Sequence, residues 1–468
     1  MVGGTMQLIA RGQQDIYLTG SPTMSYFISV YKKHTNFAME SIRQTFLTKP
    51  SLDRNSRTIS TCRIGRDADL LQDTYLSFQL PAIYSDGNLR FKWIEKVANY
   101  MIYSASVRVD TNLVDIQYGE WLDLWNELTL TSSKRDAYNK MTGNIYEFTN
   151  PTALNNRIVI TNNWLDYQYY PAYTVVNGVA TPSIPSRRFF VPLNFWFTKN
   201  PGLALPLVSL QYQKVEITIE FRGIEDLYQV YDTNTGKYYS PIKYRSLYPN
   251  GTDISIGSFL VPGGGGPNAQ IDIDAYLDCN FIFLDDDERR QMAADSRDYL
   301  VERVFRNDIE GYTNVGVMDL VIQNPVKEII WIIRRRDVVD YNEWTNFSYN
   351  MPYDASQPKQ IILKTAKILW NGLDRFEEKP YEFFNQIQPY QYHTSSPRDG
   401  VQVFSFSIYP EKTQPSGAFN ASMISRIQLY LTMNAPTDPN LEYEVVVYST
   451  YYNIFRVMGG TGAMVFAT

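Results

Sequence analysis

The chain is short of the residues that most chemistry needs. Its 468 residues include only two cysteines and two histidines. Cys62 and Cys279 stand far apart without a CxxC spacing, which fits a reducing compartment better than a disulfide framework, and both are expected as buried thiols. His34 and His393 are as widely separated, and no Ser or Cys sits in a nucleophile-elbow context, so the sequence offers no catalytic constellation. No window approaches the roughly 20 apolar residues of a membrane-spanning helix. The opening "MVGGTMQLIARGQQD" meets Arg11 and Asp15 before any useful apolar run, so the mature chain is expected to begin near Met1, in the cytosol. A basic excess is missing too: Lys+Arg 43 against Asp+Glu 49 gives a net charge of −6, with the cations dispersed, and no direct nucleic-acid binding is expected. Helical periodicity is scarce. The clearest cases are "YGEWLDLWNEL" (118–128), with Trp121, Leu124, Trp125 and Leu128 on one face, and "DDDERRQMAA" (285–294), with acids in its first turn.

What the chain does have is β composition: 44% hydrophobic and 15% aromatic residues, 36 of them Tyr, in short apolar runs broken by Gly, Pro and Asn. Strands are expected over 36–46, 57–64, 73–80, 102–110, 187–197, 213–221 and 271–284. In "QKVEITIEF" (213–221), Val215, Ile217, Ile219 and Phe221 alternate with Glu216, Thr218 and Glu220, as in a strand with one buried face. Two echoes occur in the same order. Residues 104–128 are repeated weakly in 365–387, and 189–219 in 403–433; each pair shares a strand, a turn and a second apolar segment. Two tandem all-β modules explain this most simply, and long excursions between strands favour the jelly roll over a simple barrel. The expected division is an arm at 1–25, a first jelly roll at 26–288 with insertions at 129–186 and 222–269, a linker at 289–299 and a second jelly roll at 300–468. The insertions are rich in Tyr, Asn, Gly, Pro and Thr, a composition closer to contact surface than to slack linker.

Competing readings of single motifs are weaker. "DDDER" (285–289) lacks the alternating ligands and turn glycine of a calcium loop, and acids at a helix start have a dipole reason to be there. "GGGG" (263–266) has no following Lys-Ser/Thr, so it reads as a loop crest. "IIRRR" (332–336) reads as a strand running out to a charged edge that discourages stray pairing. Asn250, Asn346 and Asn420 begin N-x-S/T sequons and are candidate glycosylation sites, although a cytosolic route would leave them unmodified. No catalytic, cofactor or metal residue is assigned.

The stretch "GGTMQLIARGQQDIYLTGSPTMSYFISVYKKHTNFAMES" (3–41) resembles the N-terminal signature of major capsid proteins from large icosahedral double-stranded DNA viruses, the group that includes algal phycodnaviruses and amoebal marseilleviruses. The match rests on Gly3, Gly4, Gln7, Leu8, Ala10, Gly12, Gln14, Asp15, Tyr17, Leu18, Thr19, Gly20 and Pro22. It continues through Phe27, Val30, Tyr31, Thr35, Asn36, Phe37, Ala38 and Glu40. Further islands are similar to the same family: "RFFVPLNFWFTKNPGLALPLVSLQYQKVEI", "FIFLDDDERRQMA", "NGLDRF", "FFNQIQPYQ", "QPSGAFNASMI" and "NIFRVMGGTGAMVFA". They span nearly the whole chain and thin in the insertions and over 300–360. The resemblance implies an all-β double jelly roll forming a homotrimeric, nearly six-sided capsomer in a virion shell assembled in the host cytoplasm. The implied partners are neighbouring capsomers, minor capsid and penton proteins and, indirectly, an inner viral membrane layer. A double jelly-roll scaffold that shapes a viral membrane and then leaves is the alternative. A glycan-binding jelly-roll enzyme would need paired carboxylates across a cleft, and no spacing identifies such a pair.

Overall fold

The computed structural model describes residues 3–85, 89–149, 173–176, 178–232, 235–251, 254–266, 270–351, 360–436, 438 and 440–466. The aromatic-rich run 150–172 of the first insertion lies outside them. The chain divides into two compact units, Met1–Phe37 and Ala38–Thr468. The first has helical turns at Gly3–Ile9 and Ile16–Thr19 and no buried side chain among its described residues. It is tied only locally: the Asp15 carboxylate accepts the Gly12 N–H at 2.8 Å, and the Thr19 hydroxyl donates to the Asp15 carbonyl at 2.8 Å.

The second unit rests on two sets of strands. The first set is β1 (Phe37–Gln44), β2 (Thr58–Arg63), β3 (Leu70–Leu80), β4 (Ile102–Val109), β5 (Asn112–Tyr118), β6 (Arg187–Pro192), β7 (Val215–Phe221) and β8 (Asp274–Leu284). The second set is β9 (Arg297–Tyr312), β10 (Val315–Asp319), β11 (Pro325–Arg335), β12 (Leu363–Trp370), β13 (Leu373–Asp374), β14 (Val401–Ser405), β15 (Ile427–Met433) and β16 (Tyr443–Met458). In the first set the sheets run β1-β8-β3-β6 and β2-β7-β4-β5; in the second they run β9-β16-β11-β14 and β10-β15-β12-β13. The two orders are the same with every strand advanced by one full set. Each is a jelly roll.

Alternation explains the strands and places the core. In β7 the apolar positions are buried and Glu216, Thr218 and Glu220 half-buried, so one face meets the facing sheet. The facing sheets enclose Leu76, Phe78, Val107, Phe189, Ile217 and Leu277 in the first sandwich, and Trp331, Ile333, Phe384, Leu429, Leu431 and Val447 in the second. Cys62 and Cys279 are free and buried in the first core, and burial pushes the Cys62 thiol up to about 12. Both sequence echoes correspond to topological equivalents: β4-β5 to β12-β13, and β6-β7 to β14-β15.

Three expectations are corrected. The strand expected over 187–197 ends at Pro192, an edge-strand proline whose nitrogen faces away from β3; Leu193 still donates to the Thr74 carbonyl at 3.0 Å before the chain turns into a 3-10 helix at Trp196–Thr198. The first insertion starts with a helix over Ser132–Thr142, ended by left-handed Gly143 (φ 83°), where the composition read as loop. "IIRRR" is not an edge: β11 pairs with both β14 and β16, and Arg334 and Arg335 are buried. The connecting stretch 289–299 is also well ordered in structure, since the helix Asp286–Ala294 runs into it and β9 begins at Arg297.

Register places the excursions. β5 ends at Tyr118 opposite Ser104, and β7 ends at Phe221 opposite Ile102, both at the start of β4. β6 begins at Arg187 opposite Leu80 and β8 at Asp274 opposite Gln79, both at the end of β3. Each insertion thus leaves beside the start of β4 and returns beside the end of β3. Both insertions therefore rise from the same end of the first sandwich. The second adds a small sheet in which Tyr228–Asp232 pairs with Arg90–Trp93 and Lys237–Tyr239, packed by Phe91 stacked on Tyr228 at 4.7 Å.

The helix α1 (Gly119–Thr129) follows β5 directly. Its first residue must be Gly for a steric reason. A Cβ at Gly119 would lie 2.1 Å from the carbonyl oxygens of Asn99 and Ile102. Gly119→Ala is expected to cost about 2–3 kcal/mol by overpacking, read as a lower denaturant midpoint; an unchanged midpoint would show that α1 can move off this turn freely.

Candidate functional site: the seam between the sandwiches

The most elaborate constellation of side chains joins the two jelly rolls. α1 leaves the first sandwich and presents Trp121, Leu124, Trp125 and Leu128, the stripe expected from sequence, to the outer face of the β9-β16-β11-β14 sheet. There it packs with Ile330, Ile332, Val401, Val403, Val446 and Tyr448. Trp121 lies 5.4 Å from both Trp125 and Tyr448, ring centre to ring centre. Elsewhere along the junction Tyr299, Val301, Phe455 and Val457 of the second sandwich join the apolar core of the first.

Beside the apolar stripe, α1 carries Glu120, Asp123 and Glu127 at helical spacing, and each meets a cation. Arg334 donates to Glu120 at 2.7 Å and to Glu444 at 2.7 and 3.1 Å, while the Tyr448 hydroxyl donates to the other Glu120 oxygen at 2.7 Å. Burial works against the charge on Glu120, but Arg334 and Arg306 outweigh it and hold the carboxyl below its usual range. Asp123 is paired with Lys96 at 2.6 Å and Arg398 at 2.8 Å, and Arg398 also reaches Glu127 at 3.1 Å. A third cluster crosses the seam where Lys199 and Lys327 converge on Glu302. Burial opposes its ionisation, yet the two lysines bring the carboxyl down to about 2.

His393 completes this layer. Its side chain has no solvent exposure, and its ring nitrogens lie 3.2 Å from Glu328 and 3.2 Å from Glu411, with the ring edge-on to Trp125 at 6.4 Å. Burial lowers its proton affinity, but the two carboxylates prevail and raise the pKa to about 9. Both carboxylates favour the protonated ring, whose side chain is shut off from solvent. Asp115, fully buried on β5, accepts N–H bonds from Ile116 at 2.8 Å and Trp196 at 3.2 Å; burial pushes it up to about 6.

The other sequence candidates are scattered. His34 is exposed in the first unit, its Nδ1 2.8 Å from the Thr35 carbonyl. Asp285 caps the helix Asp286–Ala294 by accepting the Asp286 N–H at 2.9 Å, and Arg289 of that helix pairs with Asp69 at 2.8 Å. Gly263, Gly264 and Gly265 all have positive φ, in a loop. Among the described residues no group of three or more His, Cys, Asp or Glu side chains is placed to hold a metal. Asn250 and Asn420 are exposed, but Asn346 is buried and its amide nitrogen donates to Glu343 and to the Asn350 carbonyl, each at 2.8 Å, so a glycan could not be carried there without opening the site. The ion pairs of the seam were not foreseen. The acidic stripe 120, 123, 127 beside the Trp stripe was their only local signal.

Comparison with known proteins agrees with this architecture. A family model described as the major capsid protein N-terminus matches residues 25–285, and one described as the large eukaryotic DNA virus major capsid protein matches residues 288–463. The major capsid protein of Phaeocystis pouchetii virus is 30% identical and that of Pyramimonas orientalis virus 32% identical, each over 100% of both chains. In fold, the chain is similar to VP54 of PBCV-1 (TM-score 0.68, 22% identity, 95% of this chain and 100% of that one). It is equally similar to the Faustovirus major capsid protein (TM-score 0.68, 13% identity, 96% and 94%). Its seam is thus the join of a double jelly roll, and the chain belongs to the major capsid proteins of large eukaryotic DNA viruses.

Proposed function

We propose that the chain is the building block of an icosahedral virion shell, in which three copies close into a pseudo-hexagonal capsomer. The observation that carries this is the repetition within the chain: two sandwiches of one strand order, locked side by side by the seam. A subunit with two like modules at a fixed angle contributes two of six sides, and threefold closure supplies the rest. In this reading residues 1–25 are an arm, 26–288 and 300–468 the two jelly rolls, and 289–299 their connector. The arm exposes Met6, Leu8, Ile9, Tyr17 and Leu18, apolar surface that a neighbouring capsomer or a minor capsid or penton protein would cover beneath the shell. Any link to an inner membrane layer is indirect, the shell is outermost, and assembly takes place in the host cytoplasm. The insertions 129–186 and 222–269, which share one end of the first sandwich, form the outward tower. The chain acts through buried area and not as an enzyme.

Purified mature particles provide the test. The chain should be their most abundant protein and should be released by mild dissociation at the mass of three copies. Protease added to intact particles should cut within 129–186 or 222–269 and spare residues 1–25. Absence from mature particles would refute a permanent shell role; rapid loss of the arm with both insertions intact would reverse the orientation.

A further inference from the structure

Lys96 is held where lysine is rarely found. Its side chain is 8% exposed and its backbone is left-handed (φ 52°), a conformation that persists in an ordinary residue only where the surroundings fix it. It directly precedes the short helix Val97–Met101, whose five residues are all buried and which packs against α1. Across that contact Asp123 of α1, with no solvent exposure, lies 2.6 Å from the Lys96 ammonium.

The geometry differs from that of an ordinary ion pair. Among the described residues Asp123 Oδ1 accepts no hydrogen bond even with Nζ at 2.6 Å, so the nitrogen meets the carboxyl group off the hydrogen-bonding direction, with the carboxyl carbon one bond beyond the contact. Oδ2 has other neighbours: the Arg398 guanidinium donates to it at 2.8 Å, and the buried Tyr100 hydroxyl is 3.5 Å away. Glu127, one turn further along α1, accepts a hydrogen bond from the same Lys96 ammonium and pairs with Arg398 at 3.1 Å. A cavity of about 330 Å³ lies alongside, bordered by Lys96, Glu127, Tyr138 and Arg398. Elsewhere at the seam lysine meets carboxylate without these parts: Lys199 and Lys327 share the single carboxylate of Glu302.

We propose that Lys96 and Asp123 join in an intramolecular isopeptide bond, made by the folded chain itself with Glu127 carrying the proton. Lys96 Nζ passes one proton to Glu127 and adds, as a neutral amine, to Cγ of Asp123. The negative charge that grows on Oδ2 falls beside the Arg398 guanidinium. Oδ1 then leaves as water, taking the proton held by Glu127 and a second one from Nζ; the third ammonium proton stays on the amide nitrogen. Glu127 ends ionised, as it began, and no oxidant or further reactant enters. Burial favours the product, because a dry ion pair bears a desolvation cost that a neutral amide largely escapes, and the adjoining cavity receives the water. The bond fastens α1, which lies over the second sandwich, to the body of the first. It needs only the folded chain, whatever assembly the chain enters.

The test uses the full chain, folded and then denatured for intact-mass spectrometry. It should weigh about 18 Da less than its sequence, the loss of one water, and its tryptic digest should contain a branched species joining the peptides of Lys96 and Asp123. Lys96→Arg keeps a cation but has no amine to acylate, and should return the full mass of its own sequence with no branched species; so should Asp123→Ala. Glu127→Gln, which cannot take up the proton, should lower the bonded fraction of freshly synthesised chain at least about tenfold. Should Asp123→Ala fail to fold, Lys96→Arg and the branched peptide of the wild type decide between them. A folded wild type that stays at its sequence mass, with the two peptides separate, would overturn the proposal, and so would a deficit that survives in Lys96→Arg. A branched species joining Lys96 to Glu127 would overturn the assignment of Asp123, and an unchanged bonded fraction in Glu127→Gln the role given to Glu127.

Discussion

Arg334→Ala is expected to destabilise the chain by about 3–5 kcal/mol, one of the two largest effects anticipated for a single substitution here. The guanidinium is nearly inaccessible and divides its donors between Glu120, 2% exposed, and Glu444, 16% exposed. Removing it leaves Glu120 charged and desolvated with only the Tyr448 hydroxyl as donor. That penalty falls on the unpaired carboxylate; it does not measure the net worth of the pair. Replacing Arg334 with Met and Glu120 with Leu together should therefore recover much of the loss, because an ion pair held out of water contributes little beyond a well-packed apolar substitute. Arg334→Lys should fall between, since one ammonium cannot reproduce the fork that serves two carboxylates. Urea midpoints of the four proteins decide it. An Arg334→Ala variant within about 0.5 kcal/mol of wild type, the range of an ordinary surface change, would mean that the pair is hydrated and the seam open at this point.

The consequence for assembly follows from where the pair sits. Arg334 is on β11 of the second sandwich and Glu120 on the helix sent over by the first, so the bond crosses the join. On the proposed three-copy reading, closure needs a fixed angle between the sandwiches, and apolar packing of α1 alone, being non-directional, leaves sliding cheap. Paired charges at Arg334, Arg398 and Glu302 add register, because a displaced charge would meet no partner in a dry interface. A variant that keeps its fold but loosens these pairs should lose three-copy closure before it loses secondary structure.

Much of this architecture was legible in the sequence, and what was not has a physical cause. Strand alternation in 213–221, the Trp stripe of 118–128 and the two ordered echoes are local signals with periods that the eye can follow, and each corresponds to an element or a topological equivalence. The failure at "IIRRR" lies beyond such local signals. Three arginines at a strand end are ordinarily an exposed edge, and nothing nearby in sequence says otherwise; Glu120 is more than two hundred positions away. Buried ion pairs are long-range contacts between residues whose types are also the commonest surface types. Only the acids at 120, 123 and 127, inside a helix whose other face was plainly apolar, hinted that this helix was enclosed on more than one side.

His393 shows the same limit, and it carries a pH dependence that can be measured. By sequence alone His393 carries no more weight than His34, and replacing either is expected to matter only through folding and assembly. The structure separates them: His34 is exposed, and His393 is sealed between Glu328, itself without exposure, and Glu411. The folded pKa, about 9, lies above the ordinary 6.5. A group whose proton is held more tightly in the folded state adds stability that is complete below the ordinary pKa and disappears as pH rises through the folded one. At about 1.4 kcal/mol per tenfold in affinity, the rise corresponds to about 3 kcal/mol. His393→Gln should therefore be less stable than wild type by about that much at pH 6, with the gap narrowing between pH 6.5 and 9 and nearly gone by about pH 10. Lys327, Glu302 and Tyr452 line the same layer and also respond to pH, but they are common to both proteins and cancel in the difference. His34→Gln, at an exposed position of the first unit, supplies the contrast and should leave stability at pH 6 unchanged. Above pH 9 the neutral imidazole can donate to only one carboxylate, and Glu328, lacking water, has the weaker alternatives: Glu411 keeps the Thr394 N–H at 2.7 Å. Alkaline loss of stability should accordingly start at the Glu328 side, on β11, the strand that also carries Arg334 across the seam. A His393→Gln penalty of equal size at pH 6 and pH 10 would show that the histidine is neutral in the folded chain and that its role is packing.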